Sequence, residues 1–125
     1  MTEHTHVDGA LLVSIGAPHI GRERLAGEAF TELSRYFGQR LSDGDLSSFQ
    51  PFFFADGAVA GMVGFFLLEG RRDTLDALRR DETFVRLLLR VRSANADVRV
   101  DTLLAGPDAG RMINLAREVH DDLGL

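Results

Sequence analysis

The segment SSFQPFFFADGAVAGMVGFFLLEG, residues 47–70, holds six of the nine phenylalanines in a chain of 125 residues. Two extended runs flank a turn-forming Asp56-Gly57 pair, the pattern of a β-hairpin. Alternate residues of a strand point to opposite faces, so a sheet with one wet face alternates apolar and polar side chains. Here both faces are apolar. With a two-residue turn, Ala55 pairs with Ala58 and Phe52, Phe54 and Phe65 share one face. Phe49, Phe53 and Phe66 then share the other. Helices on one side of the sheet bury only one of these sets, and the other needs a separate cover. Full burial of six phenylalanines is worth on the order of 10 kcal/mol, too much to leave in water.

The rest of the chain supplies the helices. The run ALLVSIGA (10–17) is branched, apolar and ended by Pro18, which predicts a buried strand. Leu25, Ala29, Leu33 and Tyr36 recur at helical spacing, widened by Ala26, Phe30 and Phe37, and predict a helix over 22–41. Pro51 gives no ladder hydrogen bond and predicts that the strand over 46–54 is an edge. Asp73 reads as the cap of a second helix, and Asp81 as a kink or break before Phe84, Leu88 and Val91. The stretch NADVRVDTLLAG (95–106) alternates Val98, Val100 and Leu104 against Arg99, Asp101 and Leu103, a further strand. Pro107 opens a last helix with Met112, Leu115, Ala116, Val119 and Leu123 on its apolar stripe. Residues 1–9 are polar and expected to be a disordered or frayed tail, leaving one domain over 10–125.

The order β-α-β-β-α-β-α predicts an α+β, ferredoxin-like antiparallel sheet with its helices on one side and an added C-terminal helix. In this order, and in GFFLLEG…LDALRRDETFVRLL (64–88), the chain resembles the dimeric α/β-barrel superfamily, in particular small bacterial members without an assigned activity. The resemblance covers residues 10–106. It implies that protomers pair sheet to sheet, so that the second apolar face is covered by the same face of another copy. The superfamily includes cofactor-free monooxygenases, haem-dependent enzymes, isomerase-like proteins and ligand-binding or regulatory domains. These share no catalytic motif, so the resemblance transfers no functional residues.

Composition narrows the chemistry. Cysteine is absent and all fourteen basic residues are arginine, which excludes thiolate nucleophiles, cysteine metal sites and lysine Schiff bases. A net charge of −5 argues against binding nucleic acid or an anionic membrane. No run approaches the roughly 18 apolar residues of a membrane span, and the N-terminus lacks the pattern of a signal peptide, so a cytoplasmic protein is expected. His4 and His6 stand at i,i+2 spacing without an evident third ligand, and neither metal nor cofactor is expected.

His19, in the loop GAPHIGRER, is the leading acid/base candidate. Arg22 and Arg24 beside it could hold a carboxylate or phosphate, although an ordinary solvated loop fits the same residues. Tyr36, the single tyrosine, reads as a satisfied core residue or a pocket donor. Arg99 and Asp101 read as a pocket wall or a dimer rim. Phe52, Phe65 and Phe66 complete the candidate ligand-binding set. Two readings follow. One is a homodimer with an aromatic pocket for a small apolar or polyketide-like compound, which, if catalytic, it would oxidise, isomerise or cyclise without a cofactor. The other is a non-catalytic interaction or regulatory module whose dimer is the functional unit. A cavity of roughly 300 Å³ or more, reached by His19 or Tyr36, would favour the first.

Overall fold

A computed structural model describes residues 7–124. Strand β1 (Gly9–Ile15) leads through helix α1 (Glu23–Ser42) to strands β2 (Ser48–Phe53) and β3 (Gly64–Gly70). Helices α2 (Arg72–Arg80) and α3 (Glu82–Ala94) follow, then strand β4 (Arg99–Leu104) and helix α4 (Pro107–Asp122). The four strands form one antiparallel sheet in the order β2-β3-β1-β4. This is the expected α+β arrangement. The second helix is broken at Asp81, whose ψ of 127° is extended rather than helical.

β2 is an edge, as Pro51 predicts. The Phe54 N–H donates to the Val63 carbonyl at 3.0 Å, so Phe52, Gln50 and Ser48 point their backbone groups at β3. The Pro51 nitrogen then lies on the free side, where no donor is missed.

The Asp56-Gly57 pair does not make the hairpin turn. The tight turn is Ala60-Gly61, with φ of 51° and 81°, and Val59 and Met62 exchange N–H···O bonds of 2.9 Å across it. Positive φ at both central residues is the turn geometry that matches strand twist. Gly61 therefore belongs to the turn and not to β3. The observed register pairs Phe52 with Phe65 and Phe53 with Gly64, where an Asp-Gly turn would pair Phe52 with Gly61. Gly64 is where the close approach occurs. A Cβ there would lie 2.5 Å from the Phe52 carbonyl oxygen and 2.7 Å from the Phe53 ring.

The helix-facing side of the sheet carries the core. Leu11, Val13, Phe66 and Leu68 are fully buried against Ala29, Leu33 and Phe37 of α1 and Leu75, Phe84 and Val91 of α2 and α3. Phe37 sits at the centre, its ring 5.1 Å from Phe66, 6.0 Å from Phe84 and 6.1 Å from Phe49.

Two expectations at the chain's start are corrected. Gly9 is a buried strand residue, and Asp8 is held by its N–H to the Gly70 carbonyl, so the ordered domain begins inside the expected tail. Residues 1–6, with His4 and His6, lie outside the described residues. Asp73 is not the cap of α2 either. The Arg72 N–H is met at 2.6 Å by the Asp8 carboxylate, a cap supplied from the other side of the sheet's end.

The opposite face has no helix over it among the described residues. Leu12 of β1 lies between Leu67 and Asp101, and Ser14 between Phe65 and Arg99. Phe52 stacks on Phe65 at 5.2 Å, and Phe54 tilts against Phe65 at 6.0 Å. Arg99 pairs with Asp101 at 3.0 Å. The centre is apolar, while Glu69, Gln50, Ser48, Arg99 and Asp101 stand around it, the composition of a protein interface with its polar rim.

Candidate functional site

The best-formed apolar cavity opens at the end of the sheet where β1 leaves and β3 enters. It has a volume of about 270 Å³, and its walls include Ile15, Ala26, Phe30, Phe53, Val63 and Val91. Four chain segments build it. α1 supplies Ala26, Gly27 and Phe30 from one helical face, because residues three and four apart stack on the same side. β2 ends on Phe53, whose ring lies 5.4 Å from Phe30. Phe30 in turn stacks on the core ring of Phe66 at 5.0 Å, so the cavity floor is continuous with the protomer core.

The rim is held by a backbone clamp. Gly16 N–H donates to the Ala96 carbonyl at 2.9 Å, Ala96 N–H to the Ala17 carbonyl at 2.9 Å, and His19 N–H to the Ala94 carbonyl at 2.8 Å. Buried Asn95 adds its side-chain amide, donating to the Gly16 carbonyl at 3.0 Å. A Cβ on Gly16 would stand 2.3 Å from the Ala96 oxygen, so only glycine permits this approach. Glu23 and Asn95 are the hydrogen-bonding side chains of the wall. The Glu23 carboxylate accepts from the Gly21 N–H at 3.2 Å. Gly27 leaves a gap, since a Cβ built there meets nothing within 4 Å.

The residues singled out from sequence lie elsewhere. The His19 side chain is exposed on the clamp loop, beside the rim and not among the wall residues. Arg22 points its guanidinium at the Ser93 carbonyl. The Arg24 side chain is 94% exposed and pairs with Glu28. Phe66 is in the core, and Phe52, Phe65, Arg99 and Asp101 lie on the bare sheet face. The structure thus gathers Phe52, Phe65, Arg99 and Asp101 on one surface. It does not bring them to His19 or Tyr36. The wall residues Phe30, Phe53, Glu23, Gly27 and Asn95 were legible only in part, through the parity that puts Phe53 with Phe66 and the helical stripe that holds Phe30. Among the described residues no group of three or more His, Asp or Glu side chains could hold a metal ion.

Tyr36 lies across α1 from the cavity. Its hydroxyl donates to the Asp81 carboxylate at 2.6 Å, and the Arg40 guanidinium sits 5.4 Å from its ring centroid. Burial, reinforced by Asp81, holds the phenol well above the usual tyrosine range. A raised folded-state pKa means that the fold retains the proton, so stability is present below pH ~10 and declines as the unfolded chain ionises above it. With a single tyrosine in the chain, absorbance at 295 nm reports this group alone. It should stay protonated past the free-phenol midpoint and ionise together with unfolding. Ionisation near pH 10 with ellipticity intact would contradict the placement.

No protein-family model matches the chain, and no curated protein matches it by sequence. Solved structures do. A dimeric ferredoxin-like protein of unknown function from a Jannaschia species aligns with TM-score 0.60 and 18% identity, covering 78% of this chain and 98% of that one. A second dimeric ferredoxin-like protein of unknown function, from Thermobifida fusca, aligns with TM-score 0.57 and 13% identity over 82% of this chain and all of the other. The cofactor-independent oxygenase SnoaB from Streptomyces nogalater aligns with TM-score 0.56 and 11% identity over 79% and 94%. The fold is ferredoxin-like. Identities this low carry the fold alone. No helix among the described residues is long and apolar enough to cross a membrane.

Proposed function

We propose that this chain acts as a homodimer that binds a small, largely apolar molecule, one such molecule in each protomer's cavity, against the packed rings of Phe30 and Phe53. The observation that carries the reading is the cavity itself: about 270 Å³, half-enclosed, with apolar walls and its polar groups confined to Glu23 and Asn95. That volume falls just under the range of roughly 300–1,000 Å³ typical of ligand pockets, which selects a compact ligand of one or two rings. Glu23 at the wall favours a ligand with one hydroxyl or N–H donor. The dimer is supported by the apolar bare face and by the two dimeric ferredoxin-like neighbours.

Binding, not turnover, is the reading the lining favours. The oxygenase neighbour SnoaB makes cofactor-free oxidation the chemistry to compare, and such chemistry needs a base against the bound molecule. Glu23 is the one ionisable residue of the wall, and it is engaged by the loop backbone. The interaction-module reading gains support from Phe37, Phe66 and Phe84, which fill the core, but it leaves the cavity without a role.

The test uses 1-naphthol, two fused rings with one hydroxyl donor, titrated calorimetrically into the full chain. Gly27→Leu places a side chain in the open space of the wall. It should abolish binding while the melting temperature holds or rises, because glycine inside a helix costs about 1 kcal/mol. Equal affinity of the variant and the native chain, or no saturable binding by the native chain at millimolar probe, would overturn the reading.

A further inference from the structure

We infer that α4 is an arm that packs on a second copy of this chain and completes the homodimer interface; the inference rests on the dimer reading given above. Sixteen residues form this helix, and no residue of it is buried. Met112, Ile113, Leu115 and Val119, with Leu123 just beyond, are 48–68% exposed. Met112, Leu115, Val119 and Leu123 fall on one stripe at i, i+3, i+4 spacing. The helix is tethered at its start, where Asp108 takes ion pairs from Arg72 at 3.2 Å and Arg111 at 3.5 Å, and every residue from Gly110 to Gly124 is exposed. An isolated helix of this length is marginal in water, and most helical stability comes from packing an apolar face. Something covers the stripe.

Area and position select a second copy. Four strands about 4.8 Å apart and six or seven residues long present about 400 Å² on the bare face. A stable interface takes roughly 800 Å² from each partner. The sheet alone reaches about half of that. One side of a 16-residue helix, about 24 Å long and 10 Å across, adds roughly 240 Å², which brings the total within the roughly 600–1,000 Å² that each partner of a standard interface buries. α4 leaves directly from the edge strand β4, and its Met112 and Leu115 line a groove there with Leu104 and Arg72. A membrane surface fits poorly. Interfacial helices are rich in Lys and Arg, whereas α4 carries Asp108, Glu118, Asp121 and Asp122 against Arg111 and Arg117.

The experiment is sedimentation equilibrium on the full chain, the double variant Leu115→Asp/Val119→Asp, and Arg117→Gln on the opposite side of the helix, with a photo-crosslinking residue at Leu115 in a fourth sample. The expected result is a dimer for the native chain, a dissociation constant at least tenfold higher for the double variant, and little change for Arg117→Gln. The crosslink should give a band of twice the chain mass on a denaturing gel. A dimeric native chain with an unchanged dissociation constant in the double variant would overturn the arm and leave the sheet-to-sheet dimer standing. A native chain that is monomeric would overturn both. Crosslinks only within one chain, equal weakening by Arg117→Gln, or retention on phosphatidylserine vesicles with the dimer unaffected by the double variant would each count against a second copy as the occupant.

Discussion

Phe37→Ala is expected to destabilise the protomer by about 3–5 kcal/mol, the cost of removing a large aromatic from a closed core. Phe37 is fully buried, and its ring is boxed by Phe49, Phe66, Phe84 and Tyr36 at 5.1–6.1 Å. Those rings belong to α1, β2, β3 and α3, so the hole cannot close by moving one element. Against a total stability of about 5–15 kcal/mol for a domain of this kind, the loss is a third or more. Melting should fall by at least about 10 °C. Phe52→Ala is the comparison. It removes a ring that is 39% exposed on the bare face, and its effect should depend on protein concentration, as a dimer contact's does. Equal shifts for the two variants, independent of concentration, would contradict this division of the phenylalanines.

Leu12→Arg should convert the proposed dimer to monomers, raising the dissociation constant at least a hundredfold. Leu12 is on the central strand β1, on the face away from the helices, opposite Leu67 and Asp101. An arginine placed at the centre of an apolar interface finds beside it only Asp101, which is already paired with Arg99, and desolvating a poorly paired charge costs several kcal/mol. The protomer itself should stay folded, because the neighbouring Leu11 and Val13 keep their places in the core. A variant that unfolds at all concentrations would mean that Leu12 belongs to the core. One that remains a dimer of native affinity would mean that the face is not the interface.

The face assignment was legible in the sequence although the turn was not. The observed β2–β3 register differs by four residues from the one that an Asp56-Gly57 turn would set. A shift by an even number leaves every side chain on its face, so Phe49, Phe53 and Phe66 still oppose Phe52, Phe54 and Phe65. The local Asp-Gly signal lost to tertiary demands. Gly64 has to sit under the Phe52 carbonyl, and the Val63 N–H has to reach the Ile15 carbonyl at 2.9 Å. Which set meets the helices was not in the hairpin at all, since it depends on the pairing of β1 with β3. The cap of α2 was hidden for a similar reason: Asp8 lies 64 residues from Arg72 in the chain. The cavity was the least legible part. Its walls come from four separated segments, and what makes it a cavity is partly an absence, the missing side chain of Gly27, in a stretch whose periodicity reads simply as helix.

Mixed dimers formed from ¹³C-labelled and unlabelled chains test the two-faced sheet most directly, through isotope-filtered NOEs from the methyl groups of Leu12, Leu67 and Leu103. These three residues lie on the bare face. The account predicts NOEs between chains from these methyls to aromatic protons on the partner, with Leu11, Val13 and Leu68 showing contacts only within their own chain. A dimer in which the methyls of Leu12, Leu67 and Leu103 give no NOE to the other chain would contradict it.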